Sequence, residues 1–260
     1  MGTDFNNFVE KYKSKQSAFM KQKLHRFLNS FLIKIGFELL KFPYGLLKKR
    51  IELLKKFNID FVFDVGANTG QYANQLRSAG YKGEILSFEP LTEAFSILLK
   101  HTKKDKNWKA EQIGLGNFDG DAIINVAKNS VSSSILNIRK EHVEAVPDSK
   151  YVSQEKITIH KLDSIFEKYE QQGRNFFLKI DTQGFEKEVI NGALLSLPKI
   201  TGIQVEMSLV ELYEGESMYE DLKRLVESYG FDLYSLESGF SDPDTGKLMQ
   251  IDGIFFRSKW

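Results

Sequence analysis

From residue 60 onward the chain alternates between two kinds of segment. "DFVFDV" (60–65), "EILSFE" (84–89), "KAEQIG" (109–114), "FFLKID" (176–181) and "GIQVEM" (202–207) are short apolar runs of strand type. Between them, residues 71–79, 92–101, 185–194 and 217–229 carry the three-and-four spacing of helices. Parallel strands require a crossover connection, usually a helix. This rhythm therefore predicts an α/β fold, a mostly parallel sheet with helices on both faces. Two further strand-like runs, "AIINVA" (122–127) and "KITIHKL" (156–162), flank a polar segment expected to form a lid or hairpin over the sheet's ligand edge.

The end of the chain breaks the alternation. "FDLYSLE" (231–237) and "MQIDGIFFR" (249–257) are separated by "SGFSDPDTGKL", rich in turn residues and without a helical pattern. They are predicted to pair as an antiparallel hairpin. A seven-stranded sheet whose last strand turns back is the Rossmann-like (class I) methyltransferase architecture, not the expected ending of a dinucleotide dehydrogenase.

Upstream of residue 58 the pattern is helical and basic. Leu24, Phe27, Leu28, Phe31, Leu32, Ile35 and Leu39 make one apolar face, and after Pro43 and Gly45 a second helix, "LLKKRIELLKKF", leads to the first strand. We divide the chain into an N-terminal basic helical extension, 1–57, and a domain of 58–260. Residues 1–60 carry 13 Lys/Arg against 5 Asp/Glu, while the remainder is net acidic. The extension therefore suggests either an anionic neighbour or a solvated face. Its stripe suggests a homodimer through the N-terminal helices, or peripheral membrane contact. "FLNSFLIKIGFELL" (27–40) holds Lys34 and Glu38 and is too short and too charged to span a bilayer. "MGTD" matches a myristoylation start only loosely, because Asn6 stands where Ser or Thr is required. A cytoplasmic protein, at most at the inner face of the membrane, is expected. With no cysteine, disulfides, thiolate metal sites and a cysteine nucleophile are excluded.

The first strand runs into D-V-G-A-N-T-G (64–70), with glycines four apart and an acid two before the first. A dinucleotide fingerprint needs a third glycine so that pyrophosphate can rest on the helix N-terminus. S-adenosylmethionine has no pyrophosphate. An acid at Asp64 for its amino group and bare backbone at Gly66 suit it better, although a plain structural turn has the same form. Glu89, ending the second strand, can accept hydrogen bonds from both ribose hydroxyls, or merely cap the next helix. Asp181 and Glu206 end the fourth and fifth strands, on the edge where open α/β sheets bind ligands. Lys179 and Glu186 read equally well as a surface salt bridge.

Taken in order, "FVFDVGANTGQYANQLRSAGYKGEILSFEP", "WKAEQIGLGNFDG", "VSSSIL" and "FLKIDTQGFEKEVINGA" resemble the FkbM family of S-adenosylmethionine-dependent methyltransferases, over roughly residues 58–257. The resemblance implies O-methylation of a hydroxyl on a sugar or polyketide-like acceptor, such as a bacterial surface polysaccharide or a secondary metabolite. It matches Asp64, Gly66, Asn68 and Gly70 to the cofactor loop and Glu89 to the ribose acid. Gly114 and Leu115 fall at the adenine-contacting backbone, Asp181 beside the transferred methyl, and Ser133 and Ser134 in a Ser-Ser segment near the acceptor. A Ser-rich loop is the plainer account of the last two.

Asp181, Glu206 and His160 are candidate bases for the hydroxyl, although a lone histidine in such a place is more often a packed or capping residue. Asp181 and Glu206 could instead share a divalent cation, but with no third clear ligand none is expected. His25, His101 and His142 carry no signal. Two other functions remain open: a nicotinamide-dependent oxidoreductase and a non-catalytic cofactor-binding module. Nucleic acid is not an expected partner, since the main body is net acidic.

Overall fold

Five-residue runs with every side chain buried can sit only in the middle of a sheet, and two such runs form its centre: Phe61–Val65 and Phe176–Ile180. The structure, a computed structural model, describes Leu32, Lys34, Phe42 and residues 44–170 and 173–258. The chain divides into two compact units, Met1–Lys48 and Lys49–Trp260. Of the apolar N-terminal stripe only Leu32 falls within the described residues, and it is helical there. Leu24, Phe27, Leu28, Phe31, Ile35 and Leu39 lie outside them. Among the described residues no helix is long and apolar enough to cross a membrane.

The elements follow in the order α1 (Gly45–Lys56), β1 (Phe61–Val65), α2 (Gln71–Ser78), β2 (Glu84–Phe88), α3 (Thr92–Thr102), β3 (Trp108–Glu111), β4 (Gly114–Leu115) and β5 (Gly120–Ala127). Then come α4 (Lys140–Ala145), β6 (Tyr151–His160), α5 (Leu162–Ile165), β7 (Phe176–Ile180), α6 (Glu186–Asn191), β8 (Ile200–Ser208), α7 (Tyr219–Ser228), β9 (Phe231–Ser238) and β10 (Gln250–Arg257). The large sheet has the order β3-β2-β1-β7-β8-β10-β9. All neighbours are parallel except β10, which runs antiparallel to both β8 and β9. This is the class I methyltransferase sheet that the alternation and the terminal hairpin predict. Strand order reverses between β1 and β7, and a crevice opens where their carboxyl ends diverge.

Aromatic residues fill the space on one side of β1 and β7. Phe61, Phe63, Phe166 and Phe176 contact one another with ring centroids 4.8–5.8 Å apart. Each such ring, fully withdrawn from water, contributes roughly 1.5–3 kcal/mol.

Two elements differ from expectation. The run 109–114 is not one strand: Trp108–Glu111 stays in the large sheet, while Gly114–Leu115 crosses to a second sheet of order β4-β6-β5. The runs 122–127 and 156–162 belong to that second sheet as a long antiparallel pair. Ile124, Ile157 and Ile159 pack from it onto Leu91 and Ala94 at the start of α3, which is why these strands remain apolar on one face. The polar segment between β5 and β6 walls the crevice.

Candidate active site

In a strand, residues two apart share a face, so the carboxyl ends of four adjacent strands stack their polar residues in two tiers. The lower tier is Ser87, Asp64, Lys179 and Gln204, direct partners across β2, β1, β7 and β8. All four are buried. Only one oxygen of Asp64 is hydrogen-bonded among the described residues: Ser87 Oγ donates to its Oδ2 at 3.0 Å, while its buried Oδ1 has only the Lys179 ammonium, an ion-pair partner 3.4 Å away. Lys179 also reaches Asp181 Oδ2 at 3.3 Å and donates to the carbonyls of Val65 and Gly66 at 3.4 and 3.3 Å. Burial alone would lower the Lys179 ammonium, but the Asp181 and Asp64 carboxylates outweigh it and keep the group charged.

The upper tier, two residues further along each strand, is Glu89, Gly66, Asp181 and Glu206. These four line a cavity of about 530 Å³. On the side of the first loop, Glu89 is buried, and its two oxygens accept the N–H groups of Asn68 (2.7 Å) and Leu91 (2.9 Å). Burial pushes its carboxyl up to about 7 in spite of those donors. Each oxygen retains a lone pair for a hydroxyl. Leu91, Gly114, Leu115, Ile157 and Ile159 form an apolar stretch of wall beside it. A buried acceptor for a diol next to a slot for a flat ring, with Asp181 beyond, fits S-adenosylmethionine.

The glycines of the first loop answer to the protein itself. A Cβ on Gly66 (φ +71°) would lie 1.8 Å from the backbone oxygen of Asp181, and one on Gly70 would lie 2.9 Å from the Trp108 ring. Strand β1 can leave the sheet beside β7 only if residue 66 has no side chain.

On the other side, Glu206 faces Asp252 across β8 and β10. Three glutamine amides hold the carboxylates. Gln183 Nε2 donates to Asp181 Oδ1 (2.9 Å) and Glu206 Oε2 (2.7 Å), Gln250 Nε2 to Glu206 Oε2 (2.9 Å), and Gln204 Nε2 to Asp252 Oδ1 (3.0 Å). Burial, then the Asp181 and Asp252 charges, push the Glu206 carboxyl well up. The point between Asp181 and Glu206 where a shared cation would sit is filled by the Gln183 amide nitrogen. Among the described residues, Asn68, Ser130 and Gln183 are three of the four non-glycine residues with positive φ, and all three line the cavity. Such strain gathers where surrounding structure imposes a geometry.

The cavity thus brings together Gly66, Asn68, Glu89, Gly114, Leu115, Ser133, Asp181 and Glu206. Asp64 belongs to the tier beneath it, and Gly70 does not line it but abuts the Trp108 and Leu98 side chains. Ser134 turns away from it and donates to the Gln183 carbonyl at 2.6 Å.

His160 is a correction. Its Nδ1 lies 3.0 Å from Asp119 Oδ1 at the surface, and Asp119 also accepts from the Lys161 N–H and the Ser164 hydroxyl at the start of α5. The capping network holds His160 away from the cavity, so it is no base there. Lys179 and Glu186 are likewise not a surface pair. Both are buried, and Glu186 accepts from Thr182 and Gly184 N–H.

Sequence reasoning passed over His142. It lines the cavity, packed against Tyr213 and Phe240 with ring centroids 5.3 and 5.6 Å away. Its buried Nδ1 has no hydrogen-bond partner among the described residues, and burial lowers the imidazole to about 4. Arg50, from α1, also lines the cavity and is ion-paired with Glu237. Neither residue had a local signal: each is placed by partners far along the chain.

Among curated proteins none matches this sequence. Among solved structures, similar ones include methyltransferase FkbM from Methylobacillus flagellatus KT, 13% identical with a TM-score of 0.47 over 75% of this chain and 44% of that one. This chain thus spans less than half the length of that protein. Streptococcus pneumoniae Sp1610, in complex with S-adenosyl-L-methionine, is 10% identical with a TM-score of 0.46, over 82% of this chain and 73% of its own. An rRNA methylase from Streptococcus thermophilus is 9% identical with a TM-score of 0.44, over 84% of this chain and 100% of its own. A family model of the methyltransferase FkbM domain matches residues 64–233, from the first-loop aspartate into β9. That match covers well over half of the chain, and the protein belongs to the FkbM family of S-adenosylmethionine-dependent methyltransferases.

Proposed function

We propose that this methyltransferase transfers its methyl group to a hydroxyl of a polyhydroxylated acceptor, a sugar of a bacterial surface polysaccharide or a secondary metabolite. The observation that supports it is the state of Glu206: it lines the cavity, and its Oε1 accepts no hydrogen bond from the described residues. A hydroxyl is a poor nucleophile near neutral pH, and a proton acceptor within reach adds about 10²–10⁴-fold. A carboxylate pushed up by burial and like charge holds a proton better than an ordinary one, so Glu206 Oε1 is the atom assigned to the hydroxyl proton. Asp181, held by Lys179 and Gln183, accepts from a neighbouring hydroxyl of the same acceptor and so fixes its direction. Glu89 and the Gly114–Leu115 backbone would hold the nucleoside part of the cofactor. When bound, S-adenosylmethionine supplies an electrophilic methyl on a sulfonium.

The chemistry of the wall supports hydroxyl recognition. It is built from the amides of Gln183, Gln204 and Gln250 and the carboxylates of Asp181, Glu206 and Asp252. Its Lys and Arg side chains, Lys179 and Arg50, are both paired with carboxylates. Little positive charge is left for a phosphate backbone, which argues against nucleic acid. We assign the catalytic domain to residues 58–260, with Arg50 reaching its cavity from the basic extension, 1–57. The extension is proposed to serve association with a second copy or with an anionic membrane surface.

Purified protein, labelled S-adenosylmethionine and a panel of lipopolysaccharides and nucleotide sugars provide the test. Label is expected on a sugar hydroxyl. Glu206→Gln should reduce turnover by about 10²–10⁴-fold and Asp181→Asn by a similar order, with cofactor affinity within a few-fold by calorimetry. Full turnover in both variants, or label incorporated only into RNA, would refute the assignment.

A further inference from the structure

Gln183 is the most constrained residue of the cavity. Its backbone is left-handed, at φ +55°, and the Ser134 hydroxyl holds its carbonyl at 2.6 Å. The Tyr213 hydroxyl donates to its Oε1 at 2.7 Å. A side-chain amide can present either its oxygen or its NH₂ to a neighbour, and a donor on the oxygen leaves only one choice. With Oε1 taken by Tyr213, the NH₂ must face Asp181 and Glu206, and it bonds both. Tyr213 is itself fully buried; its hydroxyl has a single proton, and the Gln183 oxygen at 2.7 Å is a closer acceptor than the Ser132 carbonyl at 3.2 Å.

We infer that Gln183, oriented by the Tyr213 hydroxyl, is a positioning residue that ties Asp181 and Glu206 into one unit and directs Glu206 Oε1 to the acceptor. The inference rests on the hydroxyl-acceptor reading above but concerns a different pair of side chains. Without the amide, two carboxylates would face each other with nothing between them. If the amide flipped, its oxygen would oppose theirs. Either change favours the protonated acid at Glu206. The charged groups facing Glu206 are Asp181 and Lys179 from β7, Asp252 from β10 and Glu186 from α6. None of the substitutions proposed below alters any of them.

The test needs neither acceptor nor cofactor. In protein labelled with [5-¹³C]glutamate, the Glu206 carboxyl is identified as the resonance absent from Glu206→Gln, and its titration midpoint is read by NMR. Gln183→Met keeps the side-chain length and the backbone strain but removes the amide. It should raise the midpoint by about one pH unit, the usual weight of a hydrogen bond to a charged group. Tyr213→Phe, which deletes only the hydroxyl, should raise it in the same direction by a smaller amount. Gln71→Met, at a glutamine that lines the cavity but bonds neither carboxylate, should leave it in place.

A Glu206 midpoint unmoved in Tyr213→Phe, or moved as far in Gln71→Met, would overturn the inference even if Gln183→Met failed to fold. Such a result would leave the hydroxyl-acceptor reading standing, because that is decided by where label appears.

Discussion

Replacing Gly66 with alanine would place a methyl carbon 1.8 Å from the Asp181 backbone oxygen and 2.9 Å from its carbonyl carbon. Neither atom belongs to a flexible side chain, and the Asp181 N–H is itself bonded to Val65 at 3.2 Å. Relief therefore requires β1 and β7 to separate at their ends. Gly80, after α2, provides the control: it too has a positive φ, +91°, but a Cβ there meets nothing within 4 Å. A left-handed alanine costs about 1–2 kcal/mol at either site. Overpacking adds a further 1–3 kcal/mol, roughly, at Gly66 alone. Urea unfolding followed by circular dichroism should place Gly66→Ala about 2 kcal/mol below Gly80→Ala in stability. Calorimetry should show S-adenosylmethionine binding weakened only in Gly66→Ala, because Asp181 moves with its carbonyl. Equal stability and equal cofactor affinity in the two variants would refute the claim that the glycine is there for the neighbouring strand.

Lys179→Met leaves Asp64 buried and charged with only the Ser87 hydroxyl as partner, and should cost about 3–5 kcal/mol. Adding Asp64→Asn should recover part of that loss, and urea unfolding of the single and double variants showing simple additivity would contradict the pairing. Glu89, pushed up to about 7, keeps its proton in the folded protein where the unfolded chain has released it. Its contribution to stability is therefore complete below about pH 4.5 and falls as pH rises to about 7, by about 3 kcal/mol at most. The stability of wild type minus that of Glu89→Gln should decline across this window, and a difference flat in pH would count against it.

Much of the site was legible because strands have a period of two. D-V-G and K-I-D each end a strand and Q-V-E falls two residues before the end of β8, each with two special positions separated by one residue, and S-F-E places its acid just beyond the end of β2. Once these segments are strands of one parallel sheet, Asp181, Glu206 and Glu89 must share its ligand edge. The antiparallel ending was legible for a similar reason, since eleven turn-rich residues without helical spacing leave no crossover between β9 and β10.

Local pattern had no means of separating His160 from His142. The first ends a strand of the second sheet and is claimed by Asp119 at the surface. The second lies in the six-residue helix α4 and is drawn into the cavity wall by Tyr213 and Phe240. The run 109–114 looked continuous because strand propensity does not report which sheet a residue will join. The sequence alone determined that a glycine loop follows the first strand and that Asp181 and Glu206 stand at strand ends on one edge. Only the tertiary structure decided that the atom crowding Gly66 is the Asp181 carbonyl, and that the Gln183 amide faces two carboxylates. The reason is physical: periodicity and propensity act over a few residues, whereas burial, steric contact and amide orientation are set by groups that folding brings together.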